Sequence, residues 1–297
     1  IIDELPILPD SLILLDICDC KELCEIYYMP KQLKSLILWS VPIHIRTLFL
    51  PESLSYIKLE DIEYLTSLPD LPLGLQYLKL NNCPLLRKLP DKLPESLIQL
   101  MITQRARHKG TRASGLAMLP ELPSHLKELD CGYNSIRKLP ELPSTLEYLK
   151  CNKCELKALP EIKHTNLWYL DCSKNAIAKL PTLPDTINSL NISCNRISNI
   201  EKLPDIINNL AVSNNKLTQL PNPLHSFPAL SDNINCCVFK LSLFGKKYLH
   251  EAWAPVESSL IQQLTSDYIM GYARATTRRM WPQYKKQMRK ILGVNLR

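Results

Sequence analysis

Glycine is scarce in this 297-residue chain: there are 7, against 23 prolines. None stands in a Walker A or GxGxxG arrangement, so the backbone cradles that hold phosphates are missing. HExxH and GxSxG motifs are absent as well, which removes the common zinc-protease and serine-hydrolase signatures. The six histidines (His44, His108, His125, His164, His225 and His250) are scattered, with none at metal-ligand spacing from another. No run of about 18 apolar residues occurs, so no transmembrane helix is expected. No secretory signal opens the chain. It starts at Ile1, in mid-pattern and without Met, which leads us to expect an upstream piece with room for an N-terminal cap.

Proline normally breaks regular structure, but here it recurs in phase. Leu119-Pro120, Leu139-Pro140, Leu159-Pro160, Leu180-Pro181 and Leu220-Pro221 keep a beat of 20 or 21 residues, and Ile200 holds it in the unit that lacks the proline. A fixed period of 20 to 29 residues marks a solenoid, in which each unit buries its apolar face against its neighbours.

Number Leu126 as position 0. Leu129, Cys131, Ile136 and Leu139 then fall at 3, 5, 10 and 13, with Asn134 at 8. This is the leucine-rich-repeat spacing. The same frame opens at Leu12, Leu33, Leu54, Leu75, Leu97, Leu126, Leu146, Leu167, Ile187 and Ile207, giving ten units over 1–225. Position 5 is always apolar or a thiol: Ile17, Leu38, Leu59, Leu80, Ile102, Cys131, Cys151, Cys172, Ile192 and Val212. Position 8 is Asn134, Cys154, Asn175, Asn195 and Asn215 in the later units, with Cys20 and Cys83 earlier, while Val41, Ile62 and Arg105 depart from it.

Positions 2 to 6 predict a short parallel strand with 3 and 5 turned inward. An amide at position 8 can serve the buried backbone of the turns above and below, where a thiol bonds more weakly. The later units are therefore expected to be the more regular. The proline segments predict an extended or short 3₁₀ return on the opposite side. The fold class that follows is a β-rich solenoid with a curved parallel sheet, closed by a small α-helical C-terminal cap.

The eleven cysteines suit that frame better than a disulfide scaffold. Several occupy inward slots as packed, reduced thiols, which points to an intracellular, reducing compartment. Cys18, Cys20 and Cys24 have a metal-like spacing, but the repeat already accounts for Cys18 and Cys20. The vicinal pair Cys236-Cys237 is not a metal motif alone. No metal or cofactor is implied.

Strand positions 2, 4, 6 and 7 should line the concave face. Position 2 carries Tyr56, Tyr77, Gln99, Glu128, Tyr148 and Tyr169; position 4 carries Lys58, Lys79, Met101, Asp130, Lys150 and Asp171. Tyr offers large contact area with few rotors, so a Tyr row beside a Lys row fits a protein-binding surface, extended by Trp39 at position 6. Simple cross-strand stacking is the plain alternative. The adjacent acids Glu60-Asp61 read as a solvated edge.

One unit is too long. Gln104 to Gly115 carries Arg105, Arg107, His108, Lys109 and Arg112 with no acid. Insertions of this kind become loops that touch partners: nucleic acid, an acidic protein face or an anionic membrane surface. A solvated loop without a partner is equally consistent. The tail is basic too. The whole chain holds 36 Lys+Arg and 29 Asp+Glu, and its net +7 lies in 226–297, where 11 basic residues meet 4 acidic ones. There Leu260, Ile261, Leu264, Tyr268 and Ile269 predict one amphipathic helix. A second should run from about Tyr272 to Trp281, stop at Pro282 and resume to Leu292. Arg274, Arg278, Arg279, Lys285, Lys286, Arg289 and Lys290 interleave there with Trp281, Tyr284 and Met288. Such a helix can bind a partner or simply cap the solenoid.

The segment Leu139-Pro140-Glu141-Leu142-Pro143-Ser144-Thr145-Leu146-Glu147-Tyr148-Leu149 resembles the proline-rich leucine-rich repeats of enterobacterial secreted effectors. The likeness is strong over about 116–225 and looser over 1–103; similar repeats occur in large DNA viruses and parasites of amoebae. In the effectors a ubiquitin-ligase domain with a Cys-x-Asp nucleophile follows the repeats. Here about seventy residues follow, and Cys236-Cys237-Val238 has no Asp two residues after either thiol. The resemblance therefore implies protein recognition without the catalytic activity. Two alternatives remain open: a structural component of a large assembly such as a virus particle, and a fragment of an effector-type ligase. The compartment would be the host cytoplasm for an effector and the virion for a viral component.

Overall fold

A computed structural model of the chain describes residues 4–42, 49–104, 115–212 and 214–217. Ten short strands follow one another in sequence: β1 Leu14–Cys18, β2 Ser35–Trp39, β3 Tyr56–Glu60, β4 Tyr77–Asn81, β5 Gln99–Thr103, β6 Glu128–Asp130, β7 Tyr148–Lys150, β8 Tyr169–Asp171, β9 Ser189–Asn191 and β10 Asn209–Ala211. They form one parallel sheet in the order of the chain. Register places like positions side by side: Tyr56 opposite Tyr77, Leu100 opposite Leu129, Tyr148 opposite Tyr169. The expected helical cap in 226–297 and the insertion residues 105–114 lie outside the described residues.

Alternation along each strand sends positions 3 and 5 into the core. Leu36, Leu38, Leu78, Leu80, Leu129, Cys131, Leu149 and Cys151 are all fully or almost fully buried, stacked unit upon unit. The leucine at position 0 joins them, as Leu54, Leu97 and Leu146 show. Each such side chain contributes about 1.5–3 kcal/mol relative to exposure.

The prolines do more than extend the return segment. In eight units the carbonyl of the proline at position −3 accepts the N–H of position 0 at 3.0 to 3.2 Å, as in Pro9 to Leu12 and Pro143 to Leu146. That bond closes a turn which swings the chain into the strand. The eighth unit has no proline there, and Thr165 replaces the device by donating its N–H and its hydroxyl to the Ile162 carbonyl. A hydroxyl at position −1 then ties neighbouring units together. Ser53 donates to the Lys31 and Leu33 carbonyls, Ser96 to Leu73 and Leu75, and Thr145 to Ser124 and Leu126.

At the other end of the strand, position 7 adopts the left-handed region in nine of ten units, without glycine. The residues are Asp19, Ser40, Asp61, Asn82, Tyr133, Lys153, Lys174, Cys194 and Asn214, with φ between 52° and 61°. For an L-residue other than Gly, Asn or Asp this costs about 1–2 kcal/mol. In seven of them the compensation comes from next door: the position-7 N–H donates to the position-6 carbonyl of the following unit, as in Asp19 to Trp39 and Lys153 to Ser173. Position 7 thus belongs to the turn, not to the strand face assigned from sequence. The tenth, Gln104, departs from the pattern at the start of the insertion. Its buried Nε2 donates to the Cys83 carbonyl at 3.2 Å. The frame re-enters at Gly115, where a Cβ would sit 2.5 Å from Asn134 Oδ1.

Position 8 carries the ladder. Asn195 Nδ2 donates to the Cys172, Ile192 and Ser193 carbonyls, and its Oδ1 accepts from the Ile177 N–H. Asn134, Asn175 and Asn215 repeat the scheme. Cys154 keeps only the donor half, Sγ to the Cys131 carbonyl at 3.0 Å. The N–H of buried Ile136, which an asparagine oxygen at 154 would accept by analogy with Ile177, therefore has no partner among the described residues. Cys154→Asn is expected to raise stability by about 1 kcal/mol, read as a higher midpoint in urea unfolding of the full chain.

Regularity differs along the molecule in an unexpected way. The first five strands run five residues and the last five run three. In β6, β8 and β9 the position-4 side chain folds back onto the N–H of position 6: Asp130 to Gly132, Asp171 to Ser173, Asn191 to Ser193, at 3.0 to 3.2 Å. These local rings compete with an ideal strand. The later units have the regular ladder and the earlier ones the longer strands.

Candidate partner-binding face

Positions 2, 4 and 6 project on the solvent side of the sheet, and the register gathers the candidate residues into two patches. The first lies on β2–β4. Tyr56 and Tyr77 pack with ring centroids 6.1 Å apart, and Lys79 Nζ stands 5.6 Å from the Tyr56 centroid. Lys58 Nζ pairs with Glu60 at 2.8 Å, and this hydrogen-bonded ion pair lifts the Lys58 pKa despite partial burial. Trp39, 38% exposed, donates its indole N–H to Asp61 Oδ2 at 3.0 Å, while Asn82 Nδ2 bonds the other carboxylate oxygen. Glu60 and Asp61 are therefore holders of Lys58, Trp39 and Asn82; the reading of a merely solvated edge is corrected.

The second patch lies on β7 and β8. Tyr148 and Tyr169 stack face to face at 4.4 Å and 6°. Burial, together with the neighbouring Tyr169, pushes the Tyr148 hydroxyl well above the ordinary range, and burial raises Tyr169 too. Lys150 Nζ pairs with Asp130 Oδ2 at 3.2 Å. Burial lowers the Lys150 pKa, but the attraction of Asp130 outweighs it and the net shift is upward. Asp130 is only 4% exposed and Asp171 only 7%. Their position-4 slots face outward, yet the neighbouring side chains cover them. Between the patches lie Gln99, Met101 and Glu128, with Gln99 bonded to Glu128.

The two rows are thus interlocked, and each lysine of the row is engaged within the chain. Trp168 is the member that slot reading misses. It sits at position 1, just before β8, 47% exposed. Its ring lies 6.2 Å from Tyr148 and 5.8 Å from Tyr169, both edge-on or tilted. The dipeptide Trp168-Tyr169 was the available signal. The basic candidates Arg105, Arg107, Lys109 and Arg112, and the tail set from Arg274 to Lys290, lie outside the described residues.

Other groups have internal explanations. Cys18 Sγ donates to Asp16 and Cys20 Sγ to the Cys18 carbonyl. Among the described residues no three His, Cys, Asp or Glu side chains converge as metal ligands, and no helix is long and apolar enough to cross a membrane.

Ten parallel strands in chain order, inward leucines at 0, 3 and 5, and an asparagine ladder at 8 decide the architecture. The fold is a leucine-rich-repeat solenoid. No protein-family model matches the chain, and no curated protein sequence does. Among solved structures the solenoid is similar to YopM from Yersinia enterocolitica, at 28% identity and a TM-score of 0.38, covering 73% of this chain and 59% of that one. It is similar to a leucine-rich-repeat protein of Leptospira interrogans, at 23% identity and a TM-score of 0.48, covering 67% of this chain and 59% of that one. A Shigella effector leucine-rich-repeat domain matches at 23% identity and a TM-score of 0.37, over 74% of this chain and 75% of that one. The solenoid spans less than two thirds of the Yersinia and Leptospira chains.

Proposed function

We propose that this chain is a non-catalytic recognition scaffold that docks another protein on the solvent face of its sheet. One observation carries the reading: the stacked Tyr148–Tyr169 pair is rimmed by a half-exposed Trp168 on a rigid, register-locked face. Large aromatic groups held rigid by their neighbours are the side chains that dominate protein interfaces. Trp39 with Tyr56 and Tyr77 provides a second anchor on the second to fourth strands. Because the lysines are internally paired, their contribution is to fix the rings in place. The basic insertion and the basic tail would add attraction to an acidic surface on the same partner. The likeness of the Leu-Pro-x-Leu-Pro units to those of secreted effectors supports recognition over chemistry. Cysteines used as core side chains, among them Cys131, Cys151 and Cys172, suit a reducing intracellular compartment.

The test is direct. With the protein that co-purifies with the native chain, Trp168→Ala and Tyr148→Ala should each weaken binding by at least tenfold, as anchor residues do. Charge reversal at Arg278, Arg279, Lys285 and Lys286 should slow association and reduce its salt dependence. Unchanged affinity in folded Trp168→Ala and Tyr148→Ala proteins would remove the proposal.

A further inference from the structure

The sheet face has a step between β8 and β9. Tyr169 uses one ring face against Tyr148. Its other face looks toward β9, where its register partner is Ser189. Position 4 changes in the same stride from Asp171 to Asn191, and β10 continues the low ground with Asn209 and Ala211. Tyr169 therefore forms a wall above a floor of small polar side chains, with Trp168 against the edge of the Tyr148–Tyr169 stack.

Asp171 lies on this face at the foot of the wall, more than nine-tenths buried. One of its oxygens accepts the Ser173 N–H at 3.0 Å. Among the described residues no donor bonds the other oxygen and no cation lies within ion-pair distance of it. Lys150, in register with Asp171 on the neighbouring strand, is ion-paired to Asp130 and attracted by Asp171 from beyond ion-pair distance. That second oxygen is not sealed inside the protein, so a donor from outside the chain can reach and bond it.

We infer that the step between β8 and β9 receives an arginine side chain of the docked protein, its guanidinium stacked on Tyr169 and bonded to Asp171. The inference rests on the docking-face reading above and names the chemistry of its partner. Arginine fits better than lysine for three physical reasons. Its plane can lie against an aromatic ring, it sheds water more readily, and its fork brings several donors to one carboxylate. The floor leaves room for that plane: Ser189 stands where Tyr occupies the two preceding units.

The experiment uses the full chain with ¹⁵N-labelled tryptophan and three blocked tripeptides, Ser-Arg-Ser, Ser-Lys-Ser and Ser-citrulline-Ser. The Trp168 indole signal, assigned with Trp168→Phe, should shift saturably with the arginine peptide, with at least tenfold weaker binding of the other two. Asp171→Asn should weaken the arginine peptide at least tenfold. That variant keeps the local turn, because Asn191 already accepts the equivalent Ser193 N–H in the next unit. Ser189→Tyr, which raises the floor, should abolish the shift. No Trp168 shift, equal binding of arginine and citrulline peptides, or an unaffected folded Asp171→Asn protein each overturns the inference. If the co-purifying protein is lost in Trp168→Ala while the arginine peptide is inert, the docking face stands and the arginine falls. If the peptide binds but that protein ignores Trp168→Ala, the docking reading falls, and with it the claim that a partner supplies the arginine.

Discussion

Asn175→Ala should destabilise the full chain by about 3–5 kcal/mol, more than any surface change. The loss follows from what the amide does. Its Nδ2 donates to the Cys151, Cys172 and Ser173 carbonyls at 2.9 to 3.2 Å, and its Oδ1 accepts from the Cys154 and Leu156 N–H groups. Alanine leaves those two N–H groups without an acceptor beside buried Cys154 and Leu156, each at about 1–3 kcal/mol, and removes three donor bonds besides. Urea unfolding should show a lower midpoint at unchanged slope. Asn175→Cys should fall roughly midway, since the thiols at Cys83 and Cys154 keep the donor role at this position and lose the acceptor one. A loss below about 1 kcal/mol in the alanine variant would mean that the turns are held by something other than this ladder.

Stability should also collapse on the alkaline side, beginning near pH 9. Burial lifts the Cys83 thiol to about 12 and pushes Cys151 and Cys172 up as well. A hydrogen bond with Cys154, and then burial, do the same for Cys131. In the unfolded chain these thiols ionise near pH 8.5. Above that value the unfolded state binds fewer protons than the folded one, so stability falls with rising pH. The contribution is complete below about pH 8.5 and is lost as pH climbs toward the folded values. Four thiols acting together give a slope of about 5 kcal/mol per pH unit once the unfolded thiols are ionised. Tyr148 and Tyr169, raised by burial, steepen it above about pH 10. Unfolding free energies at pH 8, 9 and 10 under reducing conditions would show this. Replacing Cys131, Cys151 and Cys172 with valine should flatten most of the slope, and a slope unchanged by those replacements would refute the assignment to thiols.

The repeat was legible because period and slot are properties of one residue type at one place. Leu129 and Cys131 inward, and Asn134 at the turn, follow from spacing alone, and the register bears them out. What spacing does not carry is the choice a long side chain makes among neighbours about twenty residues away. Lys150 could reach solvent or Asp130, and it takes Asp130, which then lies under it. Ser96 looks like a polar loop residue until the Leu73 and Leu75 carbonyls arrive from the preceding unit. Trp168 escaped because position 1 belongs to neither the inward nor the outward row. It became part of the face only through Tyr148 on the adjacent strand.

The left-handed turns have a consequence for how the molecule assembles. At Ser40, Tyr133, Lys153 and Lys174 the local conformation is uphill for an isolated unit, and the carbonyl that relieves it belongs to the following one. A lone repeat therefore holds only half of its own turn. Structure should spread along the chain like a zipper closing tooth by tooth, each rung validated by its C-terminal neighbour. The rung at the growing end is always the least secure.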